Sequence, residues 1–270
     1  MTAVRDLFGS PEQQALLARG AALHRVTASD PTRTYYGRTV GLTGLEAGDL
    51  DLLGDLALLQ GNASFAKVPD ASIPGLIGDS EARGLKPVHY ARWEGGPDAL
   101  ARAQQIIRDT PLPADLTLGR VTAETPAPVR LAVAEMALEC GVLPPSFAVL
   151  SGTIRPGVAC FAMEPSGRVV SLAGAAAHLH PDHPDGRTEC WWGMLATRAD
   201  RRGARLSLLL GAQAMAAMAD RYGFTRVFTG IEPGNAASEA VCARVGLTPV
   251  GTSILGVADP TVLTSGRMTK

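Results

Sequence analysis

Hydrophobic and polar positions alternate clearly in the second half of the chain, and their spacing predicts a regular series of elements. Extended segments are predicted at residues 116–122, 147–154, 158–164, 169–179, 189–197, 226–231 and 248–257, and helices at 128–140, 206–221 and 236–245. The segments 147–154 and 158–164 are interpreted as a hairpin. Gly141, Gly223 and Gly246 stand where the helices end, as glycine commonly does. The order predicts an α/β fold of the α+β kind, with a mixed, mostly antiparallel sheet flanked by helices.

The first half is less regular and contains a weak internal similarity. A helical pattern at 97–108 ends before Pro111 and Pro113, and this break divides the chain into residues 1–113 and 114–270. The segment ARGLKPV at 82–88 resembles ARVGLTPV at 243–250, and FAKVP at 65–69 resembles FTGIEP at 228–233. In both copies, a strand that ends in proline precedes a helix and another strand. Two interpretations stay open, a degenerate repeat of the second half and a chance similarity among common residue types.

Composition and charge narrow the classes of partner. With 46% hydrophobic and 19% charged residues, a chain of 270 residues has enough apolar material for a sizeable core. A net charge of −1 leaves no basic excess to neutralise phosphates, so nucleic acid is not expected as a partner. The four cysteines are widely spaced without a Cys-x-x-Cys pair, which predicts neither a disulfide framework nor a zinc site.

Membrane and export signals are not expected. The N-terminal segment carries Arg5, Asp6 and Glu12 and no apolar core of signal-peptide length. The most apolar stretch, 206–219, falls short of the ~20 residues that span a bilayer. We therefore expect a cytoplasmic protein without a membrane partner.

The segment from Gly193 to Leu210 carries the strongest chemical signal. It runs from a strand through a turn rich in arginine and glycine directly into an apolar helix. The first amides of a helix lack internal partners, and the helix dipole favours an anion there. The turn supplies full charges on Arg201, Arg202 and Arg205, while Gly203 permits a close backbone approach. Two interpretations stay open for the turn alone, a phosphate site and a solvated connection.

This segment resembles the acetyl-CoA-binding motif of the GNAT superfamily of N-acetyltransferases, Gln/Arg-x-x-Gly-x-Gly/Ala. The motif falls on residues 200–205, where Asp200 replaces Gln or Arg and Arg205 replaces Gly or Ala. The resemblance implies that acetyl-CoA is the co-substrate, that the backbone of Gly193, Met194 and Leu195 pairs with the pantetheine arm, and that the pyrophosphate lies on the turn. The pyrophosphate-binding residues implied are Arg201, Arg202, Gly203, Ala204, Arg205 and Leu206.

A second match follows downstream. The stretch GIEPGNAASEAVCARVGLTPVG resembles the family pattern of a strand, an Asn, a short helix and a Gly-Phe pair. Asn235 takes the cofactor-contacting Asn position, and Asn is also a favoured residue at a helix N-cap. The resemblance covers about residues 116–257. It implies a catalytic GNAT domain at 114–270 in a tandem arrangement with residues 1–113, a degenerate GNAT-like or accessory α/β domain without its own cofactor.

Candidates for proton transfer come from the same resemblance. Cys242 stands seven residues after Asn235, where relatives usually have a Tyr acid. A thiol there is either a proton donor or a small buried hydrophobic residue. Glu189 lies fourteen residues before Gly203, at the spacing of the catalytic Glu in histone-acetylating relatives, and is otherwise a strand-edge carboxylate. Glu232 is a second candidate base.

Two further groups of residues lie near the expected acceptor site. His178, His180 and His183 alternate with prolines between two strands; a solvated turn, contact with substrate and metal binding are the alternatives, and no metal is assigned. Trp191 and Trp192 are adjacent on one strand, so their side chains face opposite sides. One is expected in the core, and the other is available to line the acceptor pocket.

The function implied by the resemblance is transfer of an acetyl group from acetyl-CoA to a primary amine by direct attack. The acceptor is a small molecule or a peptide amine, and residues 1–113 either shape its site or form an oligomer contact, as in a homodimer. The alternative is a domain that binds acyl-CoA without catalysis, as a sensor or scaffold, because the usual Tyr is missing at position 242.

Overall fold

The computed structural model describes residues 6–263 of the chain. Eight α-helices are α1 Pro11–Val26, α2 Leu50–Gln60, α3 Ile73–Ala82, α4 Pro97–Asp109, α5 Ala127–Glu139, α6 Phe147–Leu150, α7 Leu206–Tyr222 and α8 Ala236–Arg244 within that range. Ten strands are β1 Arg33–Thr34, β2 Gly41–Gly44, β3 Asn62–Pro69, β4 Lys86–Gly95, β5 Thr117–Arg120, β6 Gly157–Met163, β7 Val169–Ala177, β8 Glu189–Thr197, β9 Arg226–Ile231 and β10 Thr248–Ala258.

All ten strands join one continuous sheet in the order β1-β2-β3-β10-β4-β9-β8-β7-β6-β5. The sheet is mixed and mostly antiparallel, as predicted; only the pairs β2/β3 and β8/β9 are parallel among the described strands. The last strand does not stay with its own half of the chain. β10 is hydrogen-bonded to β3 on one side and to β4 on the other, both from the first half. β4 in turn pairs with β9.

This crossover reveals the internal repeat. The order strand–helix–strand–helix–strand occurs once as β2-α2-β3-α3-β4 and again as β8-α7-β9-α8-β10. In each copy the first two strands are parallel, and the third strands of the two copies pair with each other in the centre of the sheet, with Leu255 opposite His89. The segments whose sequences resemble each other therefore occupy equivalent elements, β3 with β9 and β4 with β10.

One predicted element is wrong. Residues 147–154 do not form a strand; Phe147–Leu150 is a single helical turn, α6, and the strand partners of β6 are β5 and β7. Phe147 and Leu150 are buried with Phe8 in the hydrophobic cluster below the sheet. A short apolar run does not distinguish a buried strand from a buried helical turn, which explains the error.

Helices cover both faces of the sheet. On one face, α7 packs on β6–β8 and α4 packs on α7, and the buried Trp192 donates from its indole to the Gly211 carbonyl of α7 at 3.0 Å. On the opposite face, α5 and α6 cover Leu172 and Met194. A third cluster packs α2 and α3 against β3 and β10. Within residues 6–263, no helix is both long and apolar enough to cross a membrane.

Candidate active site

The parallel pair β8 and β9 separates along its length. The two strands are paired at Glu189/Arg226, Cys190/Val227 and Trp191/Phe228, and no pairing follows beyond this point in the described sheet. Each strand keeps its outer partner, since Gly193 pairs with Gly174 of β7 and Ile231 with Ala91 of β4. The inner edges therefore form a wedge that presents backbone N–H and C=O groups to a ligand, which must satisfy them when water is excluded.

A β-bulge sharpens this wedge at Met194. The register between β7 and β8 shifts between Leu172 and Gly174, which places one extra residue on β8. Met194 has a φ of 59°, in the left-handed region that a side chain with a Cβ seldom adopts. Bulges of this kind redirect backbone groups and occur beside active sites. The residues predicted to pair with pantetheine, Gly193, Met194 and Leu195, form this bulge and line a cleft of about 390 Å³.

The turn after β8 leads to an α7 N-terminus without a side-chain cap. Gly203 has a φ of 88°, Arg205 at the N-cap has a φ of 56°, and no side chain accepts from the first turn of α7. The amides of Arg201 and Arg202 donate to Arg198 and Ala199 within the turn. In the described part of the chain, the amides of residues 203–205 make no backbone hydrogen bond. Of the residues 201–206 implied by the resemblance, the amides that remain available to an anion therefore include those of residues 203–205.

The charges around this turn also differ from the sequence-based assignment. Arg201 forms ion pairs with Glu164 and, at 2.7 Å, with Asp115. Asp200 is neutralised by Arg168 at 2.9 Å. Arg202 and Arg205 are exposed, and within residues 6–263 neither has a carboxylate in ion-pair distance. The free positive charge at the helix terminus therefore comes from Arg202 and Arg205.

A groove of about 740 Å³ connects this terminus to the wedge. It is lined by the turn, the start of α7 and one face of α8, including Arg244, which sequence reasoning did not select. Cys140, Leu195 and Ser238 line both the groove and the cleft, so the two spaces meet at the bulge. The groove and the cleft are therefore adjacent, and together they extend from the α7 N-terminus to the bulge.

Helix α8 carries the other predicted residues. The Asn235 side chain accepts from the Ser238 amide at 3.2 Å, which makes it the N-cap of α8, and the residue also lines the cleft. Cys242 lines the same cleft but is only 1% exposed. Burial, reinforced by the Glu239 carboxylate, raises the pKa of Cys242 to about 12. Its packing is that of a buried hydrophobic residue, and a thiol of this acidity is a weak proton donor.

Glu189 lies at the closed end of the wedge and is not among the residues that line the cleft. Its carboxylate accepts from Arg92 Nη2 at 2.6 Å, and both side chains are buried. Arg92 also donates to Glu94 at 2.6 Å and stacks 3.7 Å above the Phe228 ring centroid. Glu189 thus joins β8 to β4 through a buried ion pair. Glu232, at the end of β9, does line the cleft.

Of the histidines and tryptophans singled out in the sequence, some have structural roles and one lines the cleft. Burial, with the charge of Arg92 as a lesser cause, holds the pKa of His178 well below its usual range. Its ring packs against Phe228, 5.1 Å between centroids. His180 contacts the Ala28 carbonyl at 2.9 Å through Nε2 and belongs to a turn. Trp192 is in the core, whereas Trp191 lines the cleft, which corresponds to the predicted division.

The first half of the chain forms the far wall of the cleft, and sequence reasoning missed these residues. They are Tyr36, Arg38, Asn62, Ser64, Val88 and Tyr90. The run Tyr35-Tyr36-Gly37-Arg38 is the one signal in the sequence, because aromatic residues and an arginine precede β2 without a helical or strand period. Their approach to Trp191 depends on the crossover of strands, which no local pattern reveals.

In the first repeat, the helix N-terminus equivalent to that of α7 is capped and acidic. Helix α2 follows β2 as α7 follows β8, but the Asp49 side chain caps it by accepting from the Leu52 amide at 3.0 Å. The connection carries Glu46 and Asp49 instead of arginines. A capped, acidic terminus repels a diphosphate, so only the α7 terminus has phosphate-binding chemistry among these two repeats.

Comparisons with known proteins identify the fold. No family model and no curated protein matches the chain. Among solved structures, a tandem GNAT protein from the clavulanic acid biosynthesis pathway, without AcCoA, has a TM-score of 0.52 at 16% identity, over 79% of this chain and 67% of that one. A GCN5-related N-acetyltransferase-like protein from Streptococcus suis has a TM-score of 0.53 at 17% identity, over 83% and 81%. A Drosophila protein has a TM-score of 0.53 at 14% identity, over 94% and 91%. At these identities the likeness concerns the fold.

Proposed function

From the GNAT fold of the chain, we propose that it transfers an acetyl group from acetyl-CoA to a primary amine. The observation that carries the proposal is the pair of adjacent spaces, groove and cleft, that extend from the uncapped α7 N-terminus to the bulge at Met194. Adjacent spaces with an anion site at one end and free strand amides at the other suit a long cofactor with a diphosphate and an amide-containing arm. We assign residues 114–270 as the catalytic domain and residues 1–113 as the wall of the acceptor site.

The cofactor assignment follows from the same groups. The backbone of Gly193, Met194 and Leu195 would pair with the pantetheine amides at the inner edge of β8. The diphosphate would accept from the amides of Gly203, Ala204, Arg205 and Leu206, with the side chains of Arg202 and Arg205 adding charge. In this proposal Arg201 orders the turn through its pairs with Glu164 and Asp115, and Asn235 caps α8 beside the arm.

The reaction needs no covalent enzyme intermediate. The amine nitrogen attacks the thioester carbonyl carbon, the C–N bond forms, and the C–S bond breaks with its electron pair moving to sulfur. An amide of the bulge, at Met194 or Leu195, would donate to the oxygen on which negative charge develops. The ammonium loses one proton before attack, and the nitrogen loses a second as the amide forms; the departing thiolate gains one proton and the other passes to solvent. Holding both reactants in the cleft supplies much of the acceleration.

The route of the protons is a separate part of the proposal. The sequence spacing indicates Glu189 as the base, but its carboxylate is engaged by Arg92 outside the cleft lining, which weakens that assignment. Glu232 lines the cleft and is the alternative base. Cys242 remains the predicted acid by position, but a pKa raised to about 12 favours its role in packing.

The rival function is binding of acyl-CoA without turnover. One observation favours it: the cleft presents a buried thiol of raised pKa at the position where relatives usually have a Tyr acid. Detection of free thiol during incubation with acetyl-CoA and a panel of amines separates the two functions. Amine-dependent thiol release supports transfer. Binding of CoA together with no release above the uncatalysed rate, for every amine tested, supports the sensor.

A further inference from the structure

The acceptor end of the cleft contains a buried guanidinium without an acidic partner. Arg38 lines the cleft and is only 6% exposed. Its Nη2 donates to the Leu143 carbonyl, and its Nη1 donates to the Tyr36 hydroxyl at 3.4 Å. Within residues 6–263, no carboxylate lies within 4.0 Å of Arg38, and its Nε has no hydrogen-bond partner. A positive charge is therefore held at low exposure by neutral groups alone.

Arg92 is a buried arginine of structural function in the same protein, and its charge is compensated differently from that of Arg38. Arg92, 2% exposed, is paired with Glu94 and Glu189, each at 2.6 Å. Removing a guanidinium from water is costly unless an anion compensates it, so the Arg92 arrangement is the expected one. Arg38 lacks this compensation and opens onto a cleft. Arg155 also has an unpartnered Nε and, among the described residues, no carboxylate within 4.0 Å, but it does not line this cleft. It is the missing compensation of Arg38 together with its place in the cleft that indicates an anionic group of a ligand.

Two aromatic rings shape the space beside this charge. The Arg38 guanidinium carbon lies 5.5 Å from the Tyr36 ring centroid and 5.7 Å from that of Trp191, and the two rings are 4.7 Å apart. The rings orient the guanidinium and exclude water from it. They also provide apolar surface for the part of a ligand that leads away from its anionic group.

The position of Arg38 relative to the proposed point of acetyl transfer indicates the chemical class of that ligand. Trp191 precedes Gly193 by two residues on β8, a separation of roughly 7 Å along a strand. We infer that the acceptor of the transfer proposed above is an amine that also carries a carboxylate, and that Arg38 binds this carboxylate while the amine reaches the bulge. This inference rests on the proposed function and specifies its substrate class, an amino acid or a peptide with a nearby C-terminus.

A carboxylate fits the site better than a phosphate. Of the lining residues that the structure describes, Arg38 is the single basic side chain and Glu232 the single acidic one, while Asn62, Ser64 and Thr229 are neutral. One guanidinium matches one carboxylate through two parallel N–H···O bonds. A phosphate dianion in a site of this burial would retain uncompensated charge.

The inference is tested by binding of product analogues, which needs no turnover. The probes are N-acetyl amino acids from glycine to tryptophan, each paired with its carboxamide, titrated by calorimetry into the protein saturated with CoA. We expect at least one acid to bind wild type about ten-fold or more tightly than its amide, or about 1.4 kcal/mol. In Arg38→Met the two should bind equally. Equal binding within every pair in wild type, no binding of any acid at millimolar concentration, or a preference that persists in Arg38→Met overturns the inference.

Two control variants separate this role from folding. Arg155→Met removes another little-exposed arginine, which donates to the Leu179 carbonyl at 2.8 Å and does not line this cleft. It should keep the preference for the acid. Arg38→Lys keeps the charge but loses the planar fork, so it should keep only part of the preference. If Arg38→Met does not fold, the wild-type pairs and Arg38→Lys decide the question, and an unreduced preference in Arg38→Lys counts against the inference.

Measurements of turnover distinguish a failure of this inference from a failure of the proposed function. Acids that bind through Arg38 in a protein that releases no thiol with any free amino acid would contradict the transfer function and leave the carboxylate site standing. Thiol release with simple amines at the same kcat/KM as with the matched amino acids would support the transfer function and overturn the carboxylate site.

Discussion

The indole of Trp191 lies directly against the backbone of Gly193. A Cβ on Gly193 would stand 2.6 Å from Cζ2 of that indole, closer than real carbon atoms approach. Gly193 belongs to the wedge that we propose for the acyl group, and Trp191 belongs to the wall of the acceptor site. The absence of a side chain at residue 193 therefore determines how closely the two parts of the cleft meet.

Gly193→Ala should displace the Trp191 indole and move the acceptor away from the thioester. We expect kcat/KM to fall by ~10²-fold, the scale of a small misplacement of reacting groups. The CoA-dependent rise in Tm should remain, because the α7 terminus is unchanged. Gly75→Ala is the matched control, since a Cβ there meets nothing within 4 Å. Wild-type kinetics in Gly193→Ala would contradict the proposed geometry of the cleft.

CoA should raise the Tm of the wild-type protein, because a ligand that binds only the native state stabilises it. Gly203→Glu should abolish this rise by adding bulk and negative charge where the diphosphate is proposed. Gly167→Glu is a close control, because Gly167 has a φ of 85° and Gly203 a φ of 88°. A Cβ at either position meets no atom within 4 Å. Backbone strain is therefore similar, and only Gly203→Glu should lose the response to CoA. A wild-type Tm that does not respond to millimolar CoA would refute the cofactor assignment.

Calorimetric titration should find one CoA site per chain. The second repeat has an uncapped helix terminus with free arginines, whereas the first has the Asp49 cap and Glu46. Reversing the acidic character with Glu46→Arg should leave the stoichiometry at one, because Asp49 still caps α2 at the Leu52 amide and keeps its negative charge there. Two equal sites in wild type would mean that residues 1–113 bind the cofactor too.

Much of the fold was predictable because its elements are encoded locally. The strand at 189–197 and the helix from Leu206 that ends at Gly223 appear as predicted, since strand alternation and a glycine in the left-handed region are local properties. The repeat was also visible, because β3 and β9 end in similar strand–proline segments. The crossover of β10 between β3 and β4 was not predictable, because strand order depends on contacts between distant segments.

In the site too, local features could be predicted from the sequence and contacts between distant segments could not. The turn between β8 and α7 lies where the motif resemblance indicated, because it belongs to one continuous segment of chain, whereas the bulge at Met194 was not predicted. The engagement of Glu189 by Arg92, 97 residues earlier, was hidden, as were the ion pairs of Arg201. Arg38 was missed for the same reason: its importance comes from the absence of a nearby carboxylate, and a sequence does not reveal spatial absences.

Acidification should destabilise the protein through His24, a partly buried histidine. Burial, then nearby positive charges including Arg155, lowers the pKa of His24 to about 4, and its ring stacks on Tyr35 at 4.1 Å. The unfolded chain takes up this proton near pH 6.5 and the folded chain only near pH 4, so the stability from neutral His24 is complete at pH 7 and is lost as the pH falls between these values. Chemical denaturation at pH 7 and pH 5 measures the loss, and we expect about 1 kcal/mol from this partly buried group. His24→Phe keeps a stacked ring and should reduce the loss by that amount; an unchanged loss would exclude His24 as its source.

Proton transfer in the proposed reaction is tested by Glu189→Gln, Glu232→Gln and Cys242→Ser together. If either carboxylate is the base, its glutamine variant should lower kcat/KM by ~10²-fold or more. The loss should be greatest at low pH, where the amine is mostly protonated, and should shrink as solvent takes over deprotonation at high pH. Glu189→Gln also removes one of the two carboxylates that pair with the buried Arg92, so it should lower the free energy of unfolding whatever its catalytic role. Because Glu94 still compensates the charge, the loss should stay below the ~3–5 kcal/mol of an uncompensated buried ion.

The pH profile therefore separates the two roles of Glu189. A loss of activity that is the same at all pH values would come from displacement of β8 relative to β4, whereas a loss confined to low pH would identify a base. Because Glu232 lines the cleft and Glu189 does not, we expect the pH-dependent loss in Glu232→Gln. Cys242→Ser should change kcat/KM only a few-fold, because a thiol whose pKa is raised to about 12 packs rather than donates. A loss in Cys242→Ser as large as that of either glutamine variant would instead identify the thiol as the acid that protonates the leaving thiolate.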